Sequence, residues 1–183
     1  MSRKKFISEV FKSTGTIGAL SPSSSFLAKK MLAPIDFDNA KCIVEFGPGT
    51  GVFTKALLKK MSPDAKLLTF EINTAFIDEL KTIEDHRLEI INDSAEKIKQ
   101  YIEAAGFTSV DYIVSSLPFA VIPDEIVHRI LTNSDDNLSE NGRFIQFQYS
   151  LNAKKKLESY FSEVKINFTP FNLPPAFVYN CKK

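Results

Sequence analysis

Three of the chain's seven glycines fall within five residues, in the run Val44-Glu45-Phe46-Gly47-Pro48-Gly49-Thr50-Gly51. The run follows a strand-like stretch and opens a helical one. The glycines therefore sit at a strand-to-helix turn, where the backbone bends tightly and a ligand can approach it closely. Their spacing is GxGxG, whereas the dinucleotide fingerprint needs GxGxxG to set a helix N-terminus on a pyrophosphate. Glu45, just ahead of the glycines, would repel pyrophosphate and suits a ligand carrying an ammonium group. Glu71, followed by Ile72, lies 20 residues after Gly51, the place from which a carboxylate takes ribose hydroxyls in doubly wound sheets. Asp93, followed by Ser94 and Ala95, is placed to accept from an adenine amine, although Asn92-Asp93-Ser94 also reads as a plain helix N-cap. A glycine loop, a ribose acid and an adenine acid describe a nucleoside with no phosphates and a cationic tail, the shape and charge of S-adenosylmethionine. A fourth strand-like segment ends in Ser115-Ser116-Leu117-Pro118-Phe119. Its serines read either as a strand terminus or as part of a site, because ligands of open α/β sheets bind at the carboxyl ends of strands.

The elements that must hold these residues are legible as an alternation. Strand-like segments at 42–46, 66–71, 88–91, 110–115 and 142–148 are separated by helical-period segments beginning near Gly51, Thr74, Ala95 and Pro123. This is the pattern of a parallel sheet wrapped by helices. A lysine-rich helix is predicted at 153–161, and strands at 163–168 and 176–181 form an antiparallel finish. The predicted fold is α/β and Rossmann-like: seven strands, mainly parallel with an antiparallel final strand, and helices on both faces. Two short helices at 4–12 and 24–32, joined by a flexible 13–23, precede the first strand. The reading divides the chain into an N-terminal helical arm or lid, 1–40, and a domain that binds S-adenosylmethionine, 41–183.

With 183 residues and 44% hydrophobic content the chain can bury one sizeable core, and wholesale disorder is excluded. No run approaches the ~18 apolar residues of a membrane span, and no signal peptide is recognisable. Cys42 and Cys181 read as reduced core residues, and His86 and His128 do not stand at metal-ligand spacing with them, so no metal is expected. Charge is uneven. Residues 1–30 hold Arg3, Lys4, Lys5, Lys12, Lys29 and Lys30 against Glu9 alone, while the whole chain carries only +1. Such a basic arm suits an anionic partner, a nucleic acid or a membrane surface. Helix 4–12 places Phe6, Ile7, Val10 and Phe11 opposite Lys4, Lys5, Ser8 and Lys12. That face packs on its own domain or lies in a membrane interface.

Glu45 to Gly51, Glu71, Asp93-Ser94-Ala95 and Ser116-Leu117-Pro118-Phe119 together resemble the successive motifs of class I S-adenosylmethionine-dependent methyltransferases. Within that superfamily the chain looks like the bacterial phospholipid N-methyltransferases, which are related to the ribosomal RNA adenine dimethyltransferases. The lipid enzymes' N-terminus is similar to Phe6 to Phe11, Ile17 to Ser24 and Leu27 to Met31 here, and their Pro-Pro-Ala-x-Val-Tyr ending to Pro174-Pro175-Ala176-Phe177-Val178-Tyr179. The RNA enzymes carry Asn where this chain has Ser116, their Gln-containing entry motif is missing, and they add a helical C-terminal domain that is not expected here. The resemblance implies transfer of methyl groups to the amine of phosphatidylethanolamine, with ribosomal RNA adenine N6-methylation as the alternative. It implies a cytoplasmic enzyme bound peripherally to an anionic membrane surface, with nucleic acid the lesser partner.

The cofactor is expected on Glu45, Gly47, Gly49, Thr50, Gly51, Glu71, Ile72, Asp93, Ser94 and Ser115. The Leu117 and Pro118 carbonyls, with the hydroxyl of Ser116 or Tyr179, are expected to accept the substrate amine's hydrogens. Tyr179 also reads as core filling for the last strand.

Overall fold

A computed structural model describes residues 25–183. The expected helix at 4–12 and its linker lie outside these residues. Helix α1 (Ser25–Leu32) leads to β1 (Cys42–Phe46), followed by α2 (Val52–Leu58), β2 (Lys66–Phe70), α3 (Thr74–Leu80) and β3 (Leu88–Ile91). A 3₁₀ turn (Ala95–Lys97) runs into α4 (Ile98–Ala104), and then come β4 (Val110–Ser115), α5 (Asp124–Asn137) and β5 (Leu138–Gln148). Short α6 (Lys154–Glu158) precedes β6 (Glu163–Thr169) and β7 (Ala176–Lys182). The strands form one seven-stranded sheet in the order β3-β2-β1-β4-β5-β7-β6. β1 to β5 are parallel, and β7 is antiparallel to both β5 and β6. The predicted α/β fold with an antiparallel finish is the one observed.

β1 is buried along its whole length because helices cover both faces of a central parallel strand, which is why its sequence runs Cys-Ile-Val-Glu-Phe with little alternation. Val44 and Phe46 face one core together with Ile98, Ile102, Ile126, Val127, Ile130 and Leu131 of α4 and α5. Ile43 faces the other, with Leu27 and Met31 of α1 and Phe53 and Leu57 of α2. The spacing of three and four along α5 and α1 sets each apolar stripe against the sheet. Both cysteines are buried, and burial raises each thiol, that of Cys42 to about 12, which keeps them protonated and unreactive. No described helix is long and apolar enough to cross a membrane.

Two boundaries differ from expectation. β5 begins at Leu138, four residues early, because Leu138 pairs with Val110 ahead of a register shift and the chain then doubles through 139–142 before Arg143 meets Tyr112. Ser-Glu-Asn-Gly looks like an ordinary turn. Gly142 is needed there, since a Cβ would come within 2.9 Å of both Leu138 Cδ2 and the Ser139 carbonyl. The domain boundary set at residue 40 also falls inside the packed body. Leu27, Met31, Leu32, Ile35 and Ala40 are all buried in the second core, so residues 25–40 are part of the domain.

Candidate functional site

The carboxyl ends of β1, β2, β3 and β4 open onto one shared cleft. Gly47, Glu71, Ile72, Asp93, Ser94 and Leu117 line it, joined by Phe70, Ala95, Ile122, Ile126 and Ile130. Six expected residues from four separate strand ends thus share one cavity, because the parallel sheet delivers all four strand ends to the same edge.

Gly47, Gly49 and Gly51 all have positive φ, at 66°, 55° and 79°, a region that costs side-chain-bearing residues energy. At Gly47 an added Cβ would also press on Leu117 Cδ2 at 3.1 Å, whereas at Gly49 nothing lies within 4 Å. The loop is therefore held close to Leu117 on one side and leaves open space above Gly49. Glu71 fastens it. One carboxylate oxygen, Oε2, accepts the Gly49 N–H at 3.2 Å, and Oε1 accepts the Ile72 and Asn73 N–H groups, each at 2.8 Å. Burial raises the Glu71 pKa, and these three N–H donors pull it back. Asp93 is likewise engaged: Oδ1 accepts Ser94 N–H at 2.8 Å, while Oδ2 accepts Lys97 Nζ at 2.8 Å and Tyr101 OH at 3.0 Å. Ser94 caps the 3₁₀ turn by accepting the Glu96 N–H.

Other expected residues take different places. Glu45 does not line the cleft. It points to the opposite face of the sheet, fully buried, where Oε2 accepts Thr54 Oγ1 at 2.7 Å and Thr69 Oγ1 at 3.3 Å. Its second oxygen, Oε1, is buried without a hydrogen-bond partner. Thr50 and Gly51 form the far limb of the loop, with Gly51 N–H donating to the Pro48 carbonyl. Ser115 is buried and its hydroxyl accepts the Leu117 N–H at 3.4 Å, so it supports the loop from below.

Three members of the expected catalytic set are engaged elsewhere in the fold. Tyr179 is fully buried in the core of β7 and its hydroxyl donates to the Ser150 carbonyl at 2.9 Å, because β7 inserts between β5 and β6 and carries that ring inward. The Leu117 carbonyl is already taken: Gln146 Nε2 at 3.1 Å, Gln148 Nε2 at 2.9 Å and Phe119 N–H at 3.0 Å all donate to it. The Pro118 carbonyl accepts Val121 N–H. Ser116 Oγ is buried and has no partner, and so retains its capacity to accept a hydrogen bond.

Gln146 and Gln148 were not picked out from sequence. They stand two apart on β5, on one face of the strand, and both amides converge on Leu117, whose side chain lines the cleft. Gln146→Leu or Gln148→Leu is expected to slow turnover by roughly tenfold, since displacements near 1 Å can cost about a hundredfold, with cofactor affinity changed less than about twofold. Initial rates beside equilibrium dialysis check this.

The donor and acceptor set fits S-adenosylmethionine. Apolar Ile72, Ala95, Leu117 and Ile122 would give a nucleoside base a dry wall, and the Glu71 and Asp93 carboxylates stand in the same lining. Among the described residues no cationic side chain lines the cleft to hold a phosphate.

Comparisons with known proteins bear on the family and the fold. Residues 13–169 match the family described as the methyltransferase small domain. The ornithine lipid N-methyltransferase of Singulisphaera acidiphila is 28% identical over 180 residues, covering 97% of this chain and 94% of that protein. The ribosomal RNA small subunit methyltransferase A of Mycoplasma capricolum is 33% identical over 112 residues, covering 60% of this chain and 40% of that protein. Among solved structures, the T. thermophilus 16S rRNA N2 G1207 methyltransferase in complex with AdoMet and guanosine superposes with a TM-score of 0.64 at 17% identity, covering 86% of this chain and 42% of that one. The chain belongs to the methyltransferase small domain family and is a class I methyltransferase that uses S-adenosylmethionine.

Proposed function

We propose that the protein methylates the primary amine of a membrane aminolipid headgroup, phosphatidylethanolamine or an ornithine-type lipid, which present the same alkyl amine. The carrying observation is coverage. Similarity to a lipid N-methyltransferase runs through 97% of the chain and 94% of that relative, whereas similarity to the RNA enzyme stops at 60% of the chain and 40% of that relative. Ser116 in place of the RNA enzymes' Asn points the same way.

S-adenosylmethionine, when bound, would supply an electrophilic methyl group to the amine lone pair, the C–S bonding pair staying on its sulfur. In this reading the cofactor rests on Gly47, Gly49, Thr50, Gly51, Glu71, Ile72, Asp93 and Ser94, while Glu45 and Ser115 act from beneath the loops. The protein's task is to align an uncharged amine and exclude water. An alkyl amine with a pKa near 10 is protonated at neutral pH, and the apolar cleft beside Leu117, Ile122 and Ile126 favours its neutral form by desolvation. Ser116 Oγ then accepts one amine hydrogen and aims the lone pair, and water carries the released proton away.

The test offers purified protein methyl-labelled S-adenosylmethionine with phosphatidylethanolamine vesicles, ornithine-lipid vesicles and ribosomal RNA particles in parallel. Label in a lipid is expected, and the favoured lipid names the acceptor. Label in RNA alone overturns the reading.

A further inference from the structure

β5 ends at Gln148 and β6 at Thr169, and β7, antiparallel to both, begins at Ala176. The segments after β5 and between β6 and β7 therefore emerge at the same sheet edge as Gly47, Glu71, Asp93 and Leu117. Phe171 and Leu173, at the tip of the β6–β7 connection, are 74% and 76% exposed. Phe26, Tyr149 and Leu151 are each roughly half exposed. These side chains form one rim. The Phe26 ring meets Phe171 at 5.4 Å between centroids. Tyr149 meets Phe147 at 5.7 Å, and Phe147 in turn meets Phe53 at 6.1 Å, in the helix that follows the glycine loop. Tyr149 is thus linked through Phe147 to the helix that follows the glycine loop.

We propose that this rim is the face that enters the bilayer interface, so that a headgroup amine reaches the cleft without leaving the membrane. The inference rests on the lipid reading above and adds the surface that carries it. An apolar patch of this kind on a soluble body calls for a partner, and charge decides which. Residues 25–32, 149–156 and 168–175, which build the rim, contain Lys29, Lys30, Lys154, Lys155 and Lys156 and not one Asp or Glu; Lys154 and Lys156 pair with Glu158 and Asp124 outside these segments, so the rim's positive excess rests on Lys29, Lys30 and Lys155. Apolar tips on segments whose only charged residues are lysines match a surface whose interior is hydrocarbon and whose headgroup layer is anionic. The polar side chain within the loop is turned away from solvent: Asn172 is buried and its amide donates to the Pro174 carbonyl at 2.7 Å. The loop consequently presents carbon, with little for a hydrogen-bonding protein partner to read.

The chain has no tryptophan, so Leu173→Trp supplies a single fluorescent reporter. Adding vesicles of phosphatidylethanolamine and phosphatidylglycerol is expected to shift its emission to the blue, and bromine-labelled acyl chains are expected to quench it. Emission that is already blue in buffer and indifferent to vesicles would mean that the rim is covered by the chain's own residues 1–24, and overturns the proposal. Replacing Phe171 and Leu173 together with Ser should lower vesicle partition about tenfold or more, given the transfer free energy of two such side chains. Cofactor affinity and methyl transfer to a short-chain, water-soluble phosphatidylethanolamine should be retained. Partition equal to wild type, or a wild-type protein that does not bind vesicles, overturns the rim. The lipid reading fails in a different way, with no methyl in any aminolipid, soluble or vesicular, while rim-dependent partition persists.

Discussion

Replacing Glu71 with Ala is expected to weaken S-adenosylmethionine binding by about a hundredfold or more. The Glu71 carboxylate does two things at once. It accepts the N–H groups of Gly49, Ile72 and Asn73, which fixes the glycine loop against the end of β2, and it stands in the cleft wall where ribose hydroxyls would donate. Two charge-assisted hydrogen bonds to a ligand, at about 1.5–3 kcal/mol each, already exceed the roughly 2.8 kcal/mol that corresponds to a hundredfold in affinity. Freeing the Gly49 N–H also lets the loop drift from the geometry that Gly47 keeps against Leu117. Glu71→Gln separates the two contributions. Its amide oxygen can still accept from Ile72 and Asn73, whereas its NH₂ group cannot accept the Gly49 N–H, so its loss should fall between wild type and Ala. Titration calorimetry measures the affinities, and a melting curve of each variant reports whether the fold is intact. An unchanged dissociation constant for Glu71→Ala would remove this residue from the cofactor site.

Glu71 could be found from sequence because its signal is local: an acid at the end of a strand, at a set distance from a glycine turn. Glu45 shows where that kind of signal misleads. Side chains alternate across a strand, so Phe46, whose ring packs edge-on to Phe70 on the cleft side, excludes its neighbour Glu45 from that side. Proximity in sequence to the glycines does not put its carboxyl in the cleft lining. The Gln146 and Gln148 pair gave no sequence signal at all. On a strand with one solvated face, alternating polar residues look outward, and only the placement of β4 beside β5 turns both amides onto the Leu117 carbonyl. The apolar stripe of α5 was legible as core, but its role as a cleft wall through Ile126 and Ile130 depends on how the helix crosses the end of β4. Tyr179 reads identically as a core residue or a site residue from its neighbours in sequence, and the insertion of β7 between β5 and β6 decides for the core.

The buried Glu45 makes stability depend on pH in a way a single substitution should erase. Burial raises its pKa from 4.5 to about 7, against the pull of hydrogen bonds from Thr54 and Thr69, and the nearby charge of Glu71 adds a smaller push upward. A carboxyl whose folded pKa lies above its unfolded value is bound to a proton more firmly in the folded chain. The stability this confers is complete below about pH 4.5 and is lost as pH rises through about 7. At about 1.4 kcal/mol for each pH unit of difference, the loss is on the order of 3 kcal/mol. Glu45→Gln keeps the size of the side chain and an oxygen for the two threonine hydroxyls, and it does not titrate. The difference in unfolding free energy between wild type and Glu45→Gln, followed by denaturant titration from pH 4.5 to 8, should therefore drift against wild type across that window, with the other titrating groups cancelling in the difference. A flat difference would mean that Glu45 ionises in the folded chain as freely as in the unfolded one. The cofactor gives the same group a second readout. A cationic ligand above the loop favours the ionised carboxylate, so S-adenosylmethionine affinity should rise with pH through about 7 in wild type and be level in Glu45→Gln. A pH slope in stability without one in affinity would assign Glu45 to the support of the glycine loop and leave the ligand's ammonium to other groups.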